Sequence, residues 1–218
     1  MQSIAPYTSL LMTGAATTVA AWLLVALISI SIGTIFGIVS CRYLAYKRLQ
    51  TCIRIYTFIA KGIPAYVQIL IAYFALPALL GINLSGFIAA SGALAFCSSG
   101  YVTEIIRSGI NAVPKGQWQA CSVLGYPLLP TLKRIILPQT IRTIAPALFG
   151  EGEQILKSTA LFAAIGVMDL TRAGMNIISR ELNPVPVYIL IACLYLLLSA
   201  VLQGALVYTE QRTSYGYR

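Results

Sequence analysis

Long apolar runs alternate with short polar stretches along this chain, and the run lengths set the first expectation. The runs fill roughly Gly14 to Ser40, Tyr56 to Leu80, Phe87 to Ile106, Pro138 to Gly166 and Val187 to Tyr208. A helix needs about 20 such residues to cross a hydrocarbon layer. The pattern predicts an all-α membrane protein with five transmembrane helices. The first run carries no charge and is too long for a signal peptide, so it reads as a retained anchor. The second opens with Lys61-Gly62-Ile63-Pro64, where the missing proline N–H loosens the helical ladder and Lys61 can snorkel to the interface. The third is dense in small residues, among them Ala89, Ala90, Gly92, Ala93, Ser98 and Gly100. Such residues let helices approach closely in lipid, which predicts a span inside the bundle. The fourth is the most polar, with Glu151, Glu153, Gln154 and Lys157 between apolar flanks.

Between the third and fourth runs lies a stretch that is too polar and too interrupted to span, about residues 109–138. Asn111 is a candidate cap, Pro114 suits a first helical turn, and Gly125 with Pro127 suits a helix end. These signals predict a helix of roughly ten residues. Trp118, Cys121 and Leu124 recur every third residue, with Ala120 and Val123 beside them, which predicts one apolar face. Two readings stand on physics alone: a helix that docks onto a partner, and a helix that lies on the bilayer surface.

Charge then orients the runs. The net charge is +9, and most basic residues sit at 41–54, at 107–134 and at the C-terminus. Excess Lys and Arg mark cytoplasmic loops, so the N-terminus is expected outside and both basic loops inside, along with the tail TEQRTSYGYR. This topology bias, with a mean hydropathy of +0.82 and only 10% charged residues, argues against nucleic acid as a partner. No histidine is present and the five cysteines form no CxxC, which leaves metal sites and His-dependent triads unsupported. Neither GxxxxGK[ST] nor a dinucleotide fingerprint occurs, so the chain is expected to bind no nucleotide itself.

Ionisable groups at membrane depth are expensive and face water or one another. Glu153 and Lys157 stand four apart in the favourable order for mutual neutralisation, whereas Glu151 lies on a different face. Glu104 and Arg107, three apart, read as a structural pair. The segment Asp169 to Pro186 is amphipathic with balanced charge, which suits an external helix that is either solvated or met by a partner.

Gln119-Ala120-Cys121, then Gly125, then Ile135 and Leu137-Pro138 match the spacing Glu-Ala-Ala, three residues, Gly, nine residues, Ile-x-Leu-Pro. This resembles the signature loop of ABC-importer permease subunits. The stretch Val113 to Trp118, Pro138-Gln139, Pro64-x-x-x-Gln68, Tyr73-Phe74-x-Leu76-Pro77, the run YVTEIIRSG and Lys157-Ser158-Thr159-Ala160-Leu161 resemble its polar-amino-acid branch. Gln119 stands where the family usually has Glu and Cys121 where it has Ala; Lys61 and Ile63 depart from that branch's Arg-Gly-Thr-Pro. The carboxylate for an ion pair at position 119 is therefore missing, while the docking shape is kept.

The resemblance implies a type I importer permease of a bacterial inner membrane, a single domain over residues 1–218. Its cytoplasmic coupling helix between spans 3 and 4 would dock on an ABC ATPase dimer, which uses ATP and Mg2+, through Lys115, Gly116, Trp118, Gln119, Ala120, Cys121 and Gly125. The implied partners are a second permease subunit, identical or sister, an extracytoplasmic amino-acid-binding protein and membrane lipid. Glu151, Glu153, Gln154, Lys157 and Gln68 are the candidate contacts for a polar or cationic amino acid. An ion-coupled carrier or channel is the alternative, since it too would use intramembrane carboxylates. A membrane-bound enzyme would need a catalytic constellation that the sequence does not assemble.

Overall fold

The computed structural model describes residues 5–44 and 47–214, and among these no strand occurs. Helix α1 spans Thr8–Val39, α2 Lys47–Gly62 and α3 Ala65–Leu80, α4 Gly86–Ala112 and α5 Lys115–Val123. Then follow α6, Leu128–Ile165, α7, Leu170–Glu181, and α8, Pro184–Ser214. Among the described residues three helices, α1, α4 and the apolar part of α8, are long and apolar enough to cross a membrane, or up to five spans if the bent pairs α2/α3 and α6/α7 each count as one. The last four residues of the expected cytoplasmic tail lie outside the described residues.

Helix α4 is the centre of the bundle, as its small residues predict: 61% of its most apolar window is buried, against 22% for α1. Ser85 starts it by accepting a hydrogen bond from the Ile88 N–H at 3.3 Å. It runs past the expected end at Ile106 to Ala112. Its close neighbour is α1, where Gly33 and Gly37 remove the side chains that would hold the two helices apart. A Cβ on Gly33 would lie 2.5 Å from Val102 Cβ, and one on Gly37 2.5 Å from Ile106 Cβ. Similar close approaches bring α4 against α6 at Gly109, and α7 against α8 at Gly174.

The second apolar run is broken into two helices at Pro64. Helices α2 and α3 meet at 98°, because Pro64 adopts an extended conformation (φ −55°, ψ 134°) and takes the chain out of the helix. Gln68 holds the bend: its amide donates to the Ala60 carbonyl at 2.8 Å and the Ile63 carbonyl at 2.7 Å. The 41–54 segment, expected as a loop, is helical from Lys47 onward. Prolines also explain two wide turns of π type, Ile71–Ala75 before Pro77 and Thr131–Ile136 before Pro138. Each proline lacks the N–H that would bond the carbonyl four residues back, and the ladder relaxes there.

At the far end of the bundle, Asp169 caps α7 by accepting from the Arg172 N–H at 2.8 Å. Thr18 of α1 accepts from the Leu170 N–H at 3.0 Å. Tyr7 donates to Glu181. The expected amphipathic segment after Asp169 is thus a helix tied to α1.

Replacing Gly33 by Ala forces its Cβ into Val102, an overpacking cost of about 1–3 kcal/mol. The melting temperature of the detergent-solubilised chain is expected to fall. Gly92→Ala meets nothing within 4 Å and is expected to leave it unchanged.

Candidate functional site: a short surface helix and a polar cavity

Helix α5 begins directly after the extended pair Val113 and Pro114. Asn111 is not its cap: it lies inside α4, and its side-chain oxygen accepts from the Arg42 N–H at 3.1 Å. The helix end follows the sequence signal. Gly125 takes a left-handed conformation (φ +71°), the Tyr126 N–H donates to the Cys121 carbonyl at 2.9 Å, and the Gly125 N–H donates to the Ser122 carbonyl at 3.1 Å. This is a Schellman motif, which pairs carbonyls that the last turn leaves open.

The single apolar face expected for Trp118, Cys121 and Leu124 is split. Trp118 and Cys121 point into the chain's own core, where the Trp118 ring stacks on Tyr43 with centroids 3.9 Å apart and planes 14° from parallel. Leu124 follows the last helical residue, and the turn carries it outward, 74% exposed. Lys115, Gly116, Gln119, Ala120 and Gly125 are exposed. They share the outer surface with the exposed apolar residues Val123, Leu124, Tyr126 and Leu129, of the kind that marks a protein or membrane contact. Cys41, beside the stack, is fully buried; burial pushes its thiol up, so it packs as a small apolar group.

The five candidate substrate contacts fall into three places. Glu151 and Gln154 of α6 line a cavity of about 390 Å³ with Lys61, Ser98, Tyr101 and Ser158, opening where the α2/α3 bend parts the helices. Ser98 donates to the Glu151 carboxylate at 2.6 Å, and Lys61 Nζ lies 5.9 Å from the centre of the Tyr101 ring. Glu153 and Lys157 face away from it, toward α8. There they pair at 2.6 Å and line a second hollow with Tyr195, Ser199 and Gln203. Gln68 is buried; its amide nitrogen donates into the bend, while its Oε1 is buried without a hydrogen-bond partner. Glu104 and Arg107 pair as expected. Sequence reasoning passed over Lys61 as a cavity residue. Its one signal in the sequence is a basic residue just before a Gly-x-Pro break, which suits an interfacial anchor equally well.

One cavity thus holds an acid, a base and four neutral hydrogen-bonding groups. It lies a few turns of α4 from a short helix that ends in exposed apolar residues. The family described as binding-protein-dependent transport system inner membrane component matches residues 29–215. The chain belongs to this family. Among its relatives, the putative glutamine transport system permease protein GlnP of Rickettsia felis is 35% identical over 177 residues, covering 78% of this chain and 81% of that one. The arginine transport system permease protein ArtQ of Bacillus subtilis is 35% identical over 180 residues, covering 82% of each. An amino acid ABC transporter crystallised with histidines superposes with a TM-score of 0.88 at 33% identity, covering 96% of both chains. An inward-facing MetNI methionine transporter shares the fold, with a TM-score of 0.80 at 17% identity. The fold is that of type I ABC permeases. As a permease component this family member has no ATPase site of its own, so ATP hydrolysis falls to a separate subunit, and an ATPase and a binding protein are its partners in general.

Gly125→Ala places a side chain at a left-handed position, a cost of about 1–2 kcal/mol that frays the end of α5. Cys121, 5% exposed, is then expected to react with a membrane-permeant maleimide several times faster than in the unchanged chain. Mass spectrometry of the labelled peptide measures this.

Proposed function

We propose that this chain is the permease subunit of an ATP-driven importer in a bacterial inner membrane, and that it carries polar or cationic amino acids. The observation that carries the substrate class is the presence of Glu151 and Lys61 on the lining of one cavity. A free amino acid carries an ammonium and a carboxylate, and a site with one fixed charge of each sign complements both. The surrounding Ser98, Tyr101, Gln154 and Ser158 supply hydrogen bonds that replace its water. A volume of about 390 Å³ is in the range of small-molecule sites. Relatives named for glutamine and arginine support the same class.

In this reading the chain crosses the membrane five times, with the N-terminus outside and α5 in the cytoplasm. Two such subunits pair, identical or sister, and an extracytoplasmic binding protein delivers the substrate. The ATPase dimer uses ATP and Mg2+ and seats α5 in a groove of each subunit. Val123 and Leu124, with Lys115, Gly116, Gln119 and Ala120 beside them, form the seated surface; Trp118 and Cys121 act from behind by fixing the helix to the bundle. Closure of the ATPases moves α5 and opens the cavity to alternate sides. Glu153 and Lys157 neutralise each other toward α8 and leave Glu151 as the carboxylate that meets the substrate ammonium. An ion-coupled carrier is not favoured, since family membership and an exposed docking helix belong to ATP-driven import.

Glu151→Gln removes a charge-assisted hydrogen bond worth about 1.5–3 kcal/mol. The KM for arginine uptake is expected to rise by roughly tenfold or more, while Glu153→Gln leaves it within about twofold. An unchanged KM in both variants contradicts the assignment. Separately, Leu124→Asp is expected to release the ATPase on purification of the complex without unfolding the chain, because the residue is 74% exposed.

A further inference from the structure

The docking helix is held to the bundle in an uneven way. Of its residues, Trp118 and Cys121 alone are buried, and it hangs from α4 by Val113 and Pro114, both extended (ψ 129° and 138°). Two extended residues between two helices make a hinge, and at its other end α5 joins α6 through the turn Leu124–Pro127, with Trp118 packed in one cluster with Ile110 of α4 and Leu132 of α6. The loop Ser40–Leu44 grips both sides of that hinge. Before it, the Arg42 backbone N–H donates to the Asn111 side chain at 3.1 Å, and the Arg42 guanidinium donates to the Asn111 carbonyl at 3.0 Å. After it, Tyr43 stacks on Trp118. Arg42 ties the two grips into one unit, since its guanidinium also donates to the Tyr43 hydroxyl at 2.9 Å and lies 4.9 Å from the centre of the Tyr43 ring.

The same loop is fixed at its other end. It continues directly from the end of α1 at Val39. The Gln50 amide of α2 donates to the Cys41 carbonyl at 3.0 Å and the Leu44 carbonyl at 2.7 Å. Helix α2 leads to the bend that borders the Glu151 cavity, and α1 packs on α4 through Gly33 and Gly37. A stack braced by charge-assisted bonds therefore gives the docking helix a direct connection to α1 and α2, beside its connections to α4 and α6.

We propose that the Ser40–Leu44 loop is a clasp that carries displacement of α5 into α1 and α2, with Tyr43, Arg42 and Asn111 as positioning residues for transport. This rests on the reading that α5 docks on an ATPase subunit. A stack that merely stabilised the fold would change uptake and hydrolysis together, whereas a clasp sets the ratio between them.

The test uses the assembled importer in proteoliposomes and measures ATP hydrolysed per radiolabelled arginine or glutamine taken up. In Tyr43→Ala and in Asn111→Ala the ATPase co-purifies and hydrolyses within about twofold of the unchanged complex. Uptake falls about tenfold, the size of a typical coupling free energy, so the ATP used per amino acid rises by that factor. Tyr43→Phe keeps the ring stack and the Arg42 contact to the ring but loses the bond to the hydroxyl, and brings the ratio most of the way back. A ratio unchanged in Asn111→Ala overturns the proposal even if Tyr43→Ala proves unstable, because Asn111 lies at the partly exposed edge of the clasp. Parallel loss of uptake and hydrolysis overturns it as well. If the unchanged chain fails to retain any ATPase, the docking reading itself falls, and the clasp with it.

Discussion

In lipid, burying an apolar side chain gains little, because the solvent is as apolar as the core; a bundle holds together through how closely its helices can approach. The approach of α1 to α4 is the contact on which the rest depends. Gly33 and Gly37 let α1 sit directly on Val102 and Ile106, and the small residues of α4 let α2 and α6 approach in turn: a Cβ on Gly100 would lie 2.9 Å from Ala60 Cβ, and one on Gly109 2.2 Å from Ile144 Cγ2. Ser98, at the middle of α4, then reaches Glu151 of α6. Asn111, near its end, stands beside the hinge to α5. One central helix thus connects the cavity to α5 and its exposed apolar end, and its small side chains are what allow neighbours on every side.

The polar groups follow from the same constraint. Charged side chains in a membrane span must be paired or must face a cavity. Lys157 neutralises Glu153 on one face of α6, and Arg107 neutralises Glu104 near the end of α4. Glu151 and Lys61 are left on the shared cavity with neutral donors around them. The break at Pro64 serves this arrangement, since the bend between α2 and α3 borders the cavity, and Gln68 pays the open carbonyls of the break by bonding Ala60 and Ile63.

How much of this the sequence disclosed depended on whether the cause was local. The buried position of α4 follows from its own small residues, and the end of α5 from Gly125, whose left-handed turn a Cβ would strain. The 98° bend was only half legible: Pro64 marks the break, but its angle depends on Gln68 reaching back across it. The inward turn of Trp118 was not legible, because its partner Tyr43 lies in a loop remote in sequence. Asn111 misled for the same reason; its side chain answers to Arg42 rather than to the helix that follows it. The separation of Glu151 from Glu153 onto different faces followed from helical spacing, yet which face meets the cavity was decided by packing against α4 and α8. Lys61 was missed because its role appears only once the bend brings it beside Tyr101.

The account rests on ATP-driven movement of a docking helix that opens a cavity fitted to an amino acid. Its most direct test is arginine uptake into proteoliposomes that hold the assembled complex, with ion gradients collapsed by ionophores and ATP supplied on the side of α5. The account predicts accumulation that requires ATP and persists without any gradient. Accumulation driven by an imposed ion gradient in the absence of ATP would contradict it.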